Sequence, residues 1–153
     1  FLNLLLSFGF SAIISQFNLA GLATGFALGY FCLWLSKPLY GDTRYFQRVP
    51  QVIGLCVFFI KELAVSSLRV LWDVVTPSHI SRPGIIGIQL EAQTDLEIML
   101  VANLISLTPG TLSIDLSADR KTLYIHVMFL EDVEETRQAI KDGLERRILE
   151  VLR

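Results

Sequence analysis

Asn103 to Ser117 reads NLISLTPGTLSIDLS, and the order of its parts decides what kind of domain surrounds it. A Pro-Gly turn between threonines could cradle a phosphate if a strand led in and a helix led out. Free N–H groups and the positive end of the helix dipole would then face the anion. Here the order is reversed. The apolar run before Thr108 has helical composition, and after it Leu112, Ile114 and Leu116 alternate with Ser113 and Asp115 as in a strand. The negative end of a helix therefore points at Thr108, Pro109, Gly110 and Thr111, and an anion is repelled. The turn reads as structural: Pro109 stops the helix, Gly110 supplies a permissive φ, and the threonine hydroxyls satisfy loose backbone groups.

Working outward, Ile86, Ile88 and Leu90 share one face of a strand expected over Ile85 to Glu91. Thr94-x-x-Glu97 is a capping box opening a helix through LEIMLVANLISL, apolar on nearly all sides and expected to be buried. Downstream, Leu123, Ile125, Val127 and Phe129 alternate with Tyr124, His126 and Met128. They complete an antiparallel hairpin whose greasy face includes Leu112, Ile114 and Leu116. Val133, Ile140, Leu144, Ile148 and Val151 trace the buried stripe of one closing amphipathic helix. The breaker cluster Ser81-Arg82-Pro83-Gly84 sets this apart as a small α+β domain of order β-α-β-β-α, residues 81–153.

The rest of the chain belongs to another solvent. Of 153 residues 52% are hydrophobic and 18% charged, and mean hydropathy is +0.53, too apolar for an ordinary soluble domain. No Asp, Glu, Lys, Arg or His precedes Lys37. Residues 1–36 are expected to form a transmembrane helical hairpin broken at Ser15 to Asn18, SQFN. The chain opens at Phe1 without a positive n-region or a small-residue cleavage site, so a cleaved signal peptide is not expected and the first span reads as clipped. Phe31, Trp34, Tyr40 and Lys37 form a headgroup-level margin. Gly21, Gly25 and Gly29 repeat at four-residue spacing on one helical face, which permits close backbone approach. That face packs either within the hairpin, against Gly9 and Ser7, or against helices of another subunit.

Residues 37–80 are read as a loop and a partly membrane-embedded helix, Val49 to Val75. Its first part, VPQVIGLCVFFI, is apolar all round; beyond it Glu62, Ser66, Arg69 and Asp73 draw a polar stripe. The helix either spans the bilayer or lies along its cytoplasmic interface. Lys37, Arg44 and Arg48 mark the preceding loop as cytoplasmic and favour the interfacial placement, because another crossing would export the charged C-terminal region.

Net charge is −2, so no basic field exists to hold nucleic acid. Cys32 and Cys56 lack metal-ligand or redox spacing and read as small hydrophobes. Lys61 and Glu62 are candidates for an ion path, set against a reading in which they sit at the interface, Lys61 snorkels and Arg69 pairs with Asp73. His126 and His79 stand alone, without a second ligand or a nucleophile. No catalytic, metal or cofactor site is expected.

Taken in order, the apolar hairpin with its glycines, the RPG before the first strand, TPGT, DRKTLYIHV and the closing LERRILEVLR resemble the E subunit of bacterial Mrp-type multisubunit cation/proton antiporters, over nearly the whole chain. The resemblance implies a non-catalytic accessory subunit in the cell membrane. Its partners would be the other subunits of that hetero-oligomer and membrane lipid, its C-terminal domain would be cytoplasmic, and the large subunits would carry the sodium and proton pathways.

Overall fold

The computed structural model describes residues 1–40, 45–77 and 80–153, with only the backbone of Leu39 and Tyr40. Arg44, His79 and the Tyr40 side chain lie outside the described residues. The chain divides into two compact units, Phe1–Gln47 and Arg48–Arg153.

In the first unit α1 (Leu2–Ile13) and α2 (Leu19–Leu35) pack on each other, and a short α3 (Lys37–Tyr40) follows. At about 1.5 Å per residue these helices of 12 and 17 residues are about 18 and 25 Å long, against a hydrocarbon core of about 30 Å. The polar interruption is built from caps. Ser15 takes a left-handed conformation (φ 54°), and the N–H groups of Ser15 and Gln16 close on the Ala12 and Ser11 carbonyls, as in a Schellman end. Asn18 then caps α2 by accepting from the Gly21 N–H at 2.7 Å.

Helix α4 runs from Tyr45 to Val75, one turn earlier than Val49. Tyr45 and Phe46 stack around Tyr30 of α2, at centroid distances of 5.9 and 5.5 Å, and this contact holds the added turn. Pro50 forgoes one backbone hydrogen bond in the second turn, close enough to the helix start to be tolerated.

In the second unit the strands β1 (Gly84–Gln89), β2 (Thr111–Leu116) and β3 (Thr122–Val127) form an antiparallel sheet of order β1-β3-β2. The first two are joined through α5 (Asp95–Leu107). The capping box is complete: Thr94 Oγ1 accepts from the Glu97 N–H, and Glu97 Oε2 accepts from the Thr94 and Gln93 N–H groups. Ile86, Ile88, Leu123, Ile125 and Val127 on the inner face meet Val101 and Ile105 of α5. Each such aliphatic side chain contributes about 1.5–3 kcal/mol by leaving water.

Three expectations change in detail. Leu112 and Ile114 point outward and are about half exposed, while Ser113 turns inward. The Ser113 hydroxyl donates to the Ala102 carbonyl at 2.9 Å, and its N–H bonds to Ser106 Oγ at 3.0 Å, so the strand's register follows hydrogen bonds to α5 rather than hydrophobicity. A bulge between Ser113 and Asp115 places Ile114 and Asp115 both outward and returns Leu116 toward the core. Second, α5 buries Ile98, Val101 and Ile105 but leaves Leu96, Met99 and Leu107 more than half exposed, because only one of its sides meets the sheet. Third, the closing helix is not continuous: α6 (Val133–Ile140) passes through a π turn, Lys141–Glu145, into α7 (Arg146–Leu152).

The π turn carries Leu144 and Glu145 both to the buried side. Glu145 Oε1 accepts from the Glu91 and Ala92 N–H groups, at 2.6 and 3.0 Å. Arg147 Nη1 donates to the Asp142 and Gly143 carbonyls at 3.1 and 2.8 Å, taking up groups near the π turn. Arg137 Nε donates to the Gly87 carbonyl of β1.

Arg153 Nε, 3.0 Å from Glu97 Oε1, together with the Gln93 and Thr94 N–H groups, holds the Glu97 carboxyl down to about 2 from an ordinary 4.5. A depressed carboxyl stabilises the fold above its unfolded value and loses that contribution as pH falls from 4.5 toward 2. Acid titration followed by far-UV circular dichroism is expected to show destabilisation in that window. In Glu97→Gln the dependence there flattens and stability at neutral pH falls.

Candidate functional site

The glycine face lies at the α1–α2 seam. Gly21, Gly25 and Gly29 are all buried. On α1 the facing positions are Asn3, Ser7 and Ser11, also at four-residue spacing and also buried. A side chain begun at Gly25 would come within 2.8 Å of the Ser7 carbonyl, and one at Gly29 would run into Asn3 Oδ1. At Gly21 it would strike the Gln16 carbonyl in the inter-helix turn. Ser7 Oγ donates across the seam to the Leu22 carbonyl at 2.7 Å, and Asn3 Nδ2 donates to the Tyr45 hydroxyl. Gly9 has nothing within 4 Å of a would-be side chain and is not part of the seam. Ser7 was expected at this seam; Asn3 and Ser11 were missed in the sequence because polar residues inside an apolar run look like breaks, although their spacing matches that of the glycines.

Helix α4 has two faces. Leu55, Phe58 and Phe59 pack against the core of the α+β domain. Phe58 lies against Gly143, where a side chain would sit 3.1 Å from its ring, and beneath the Arg147 guanidinium at 4.0 Å. Further along, Asp73 is buried and its Oδ1 accepts from the Ile80 and Ser81 N–H groups at 2.6 and 3.0 Å, while the Arg69 guanidinium stands 5.8 Å over Phe129. At the N-terminal end Arg48 Nη2 donates to the Leu152 carbonyl. The opposite face presents Ile53, Val57, Ile60, Leu68, Leu71 and Val75, each more than half exposed. By length and composition alone α4 is apolar enough to cross a membrane.

Lys61 is exposed and Glu62 half-buried; neither makes a hydrogen bond or ion pair among the described residues. Glu62 lines a cleft of about 360 Å³ together with the Thr108–Thr111 turn, Phe129 and one side of α6 from Glu135 to Ile140. That turn is closed by the Thr111 N–H on the Thr108 carbonyl at 3.1 Å, with Gly110 at φ +87° as the third residue of a type II turn requires. Thr111 Oγ1 donates to the Ile105 carbonyl and Thr108 Oγ1 to the Leu104 carbonyl, satisfying the free end of α5. His126 is the penultimate residue of β3, the central strand, half-buried and paired in register with Ile85 and Leu112. Among the described residues no three His, Cys, Asp or Glu side chains gather as metal ligands would.

Apolar paired helices and a long helix with one largely apolar face, joined to a small α+β domain, mark a membrane-associated protein. A family model described as Na+/H+ ion antiporter subunit matches residues 3–151, and the chain belongs to that family. It is 38% identical over 99% of its length, and 96% of the relative's, to the E-type Na+/H+ antiporter subunit of Bacillus subtilis. The corresponding protein of Alkalihalophilus pseudofirmus is 35% identical, over 98% of this chain and 95% of that one. In fold, the chain is similar to a component of the Mrp complex from Dietzia sp. (TM-score 0.53, 24% identity), over 67% of this chain and 96% of that one. It is also similar to a component of the membrane-bound sulfane sulfur reductase, an archaeal respiratory membrane complex (TM-score 0.60, 20% identity), over 96% and 94%.

Two pairs of substitutions probe this geometry. Gly25→Leu is expected to force α1 from α2 and lower the melting temperature in detergent, at a cost of about 1–3 kcal/mol, whereas Gly9→Ala leaves it unchanged or slightly raised. Gly110→Val imposes a β-branched side chain at positive φ and should destabilise the α+β domain by about 1–3 kcal/mol. Gly110→Asn, which tolerates that conformation, should lose clearly less when both are compared by denaturant unfolding.

Proposed function

We propose that the chain is a non-catalytic accessory subunit of a multisubunit monovalent cation (Na+)/proton antiporter and supports assembly and stability of that complex in the bacterial cell membrane. In this reading α1 and α2 cross the bilayer as a hairpin, α4 lies in the cytoplasmic interface, and the domain from Ser81 onward is cytoplasmic. The single observation that carries the proposal is the division of α4. From Arg48 to Asp73 one face is engaged along its length with a charged α+β domain, while the other offers lipid or neighbouring helices a largely apolar surface on which Lys61 is the exposed charge. A helix so engaged on one side would drag charged side chains into hydrocarbon if it crossed, at several kcal/mol each by insertion scales. Lying flat, it needs no such transfer. Family membership supports the partners: the relatives named above are antiporter subunits.

The competing reading routes protons or cations through Lys61 and Glu62. Deletion of the chain and Lys61→Gln, each scored for assembled complex and for transport per complex, separate the two. The accessory role expects deletion to deplete the complex and Lys61→Gln to leave transport per complex at the wild-type rate. Transport lost from fully assembled Lys61→Gln complexes, or full assembly without the chain, would overturn it. Ala118→Cys, in a chain whose Cys32 and Cys56 are replaced by serine, should stay unlabelled by an impermeant thiol reagent added to intact cells; labelling there would refute the cytoplasmic placement.

A further inference from the structure

We infer that the cleft between α4 and the Thr108–Thr111 turn is a docking groove for a lysine- or arginine-bearing cytoplasmic loop of a neighbouring membrane subunit. This rests on the accessory role proposed above. The cleft, about 360 Å³, is at the small end of ligand-sized pockets and has room for one or two long side chains rather than a folded element. Its floor is apolar, with Phe58, Ile140 and Leu144 among its lining, and its rim is acidic, with Glu62, Glu131, Asp132 and Glu135.

These carboxylates differ in how they are engaged. Asp132 caps α6 by accepting from the Glu134 and Glu135 N–H groups at 2.8 Å each. The side chains of Glu62, Glu131 and Glu135 have no hydrogen bond or ion pair among the described residues. Among the described residues Arg69 is the one basic residue in the lining, and it lies over Phe129. The C-terminal end of α5 adds the negative pole of its dipole beside Thr108.

Complementarity narrows the occupant. A phosphate or an anionic lipid headgroup is repelled by the rim. A small hydrated cation leaves the apolar floor unmatched, and an aliphatic side chain leaves the carboxylates desolvated without partners. A lysine or arginine matches both levels, its alkyl stem over Phe58 and Leu144 and its charged head among the glutamates. Membrane proteins concentrate these two residues in their cytoplasmic loops, at the level where an interfacial α4 would hold the cleft open.

A photo-crosslinking benzophenone amino acid in place of Ala139, on the cleft wall, tests this in the complete complex, captured from membranes through a tag on a large subunit. The expected product is an adduct with a cytoplasmic-loop peptide of another subunit that contains Lys or Arg. Its yield should fall about fivefold or more both in Glu62→Gln/Glu135→Gln and when salt is raised from about 0.05 to 0.5 M. The salt series uses the unaltered carboxylates and so holds even where the double replacement perturbs folding. An adduct with lipid, with a second copy of this chain, or with a peptide lacking Lys and Arg overturns the inference. So does a yield indifferent to salt. Presence of the chain in the captured complex without any adduct counts against the groove alone, whereas its absence from the capture counts against the accessory role as well.

Discussion

The seating of Phe58 of α4 against the α+β domain is the contact that joins the long helix to the closing helices of the second unit. Its ring fills the space left by a glycine at 143 and lies under the Arg147 guanidinium, which also binds the Asp142 and Gly143 carbonyls. One aromatic side chain thus connects the long helix, the π turn and the closing helix. A domain this small leaves a large fraction of its apolar surface unburied, and Leu55, Phe58 and Phe59 of α4 cover part of it. The same contact fixes the rotation of α4 and so determines which of its residues face outward.

The hairpin is organised by a different force. Close backbone approach and hydrogen bonds across the seam hold it, the kind of packing that would be required in lipid, where apolar helices have little hydrophobic drive to associate. Glycines on α2 meet Asn3 and Ser7 of α1, and the Ser7 hydroxyl reaches the Leu22 carbonyl. The aromatic cluster of Tyr30, Tyr45 and Phe46 ties the start of α4 to α2.

How much of this could be read from residue order varied with how local the cause was. The capping box at Thr94, the type II turn at Thr108 and the inner faces of β1 and β3 follow from neighbours within a few positions, and they were legible. The register of β2 was not. Its hydrophobic alternation points one way, and Ser113, Ser106 and the Ala102 carbonyl pull it the other, through hydrogen bonds to a helix 11 residues away. The π turn was equally hidden, because Glu145 turns inward to serve backbone N–H groups more than fifty positions earlier. For the candidate site, the glycine face and Glu62 were visible as patterns. Their neighbours, Asn3 across the seam and the TPGT turn across the cleft, are brought there by tertiary packing alone.

The bulge in β2 has a consequence for how a crowded assembly recognises this domain. A three-stranded sheet has two free edges, each able to recruit a foreign strand. Here the β2 edge is kinked by the bulge and carries the outward Asp115, and on β1 the Gly87 carbonyl is occupied by Arg137. Extension of the sheet is thus discouraged on both sides. A neighbour that packs on the faces of the domain would instead be read by side chains, which set a specificity that backbone pairing leaves open.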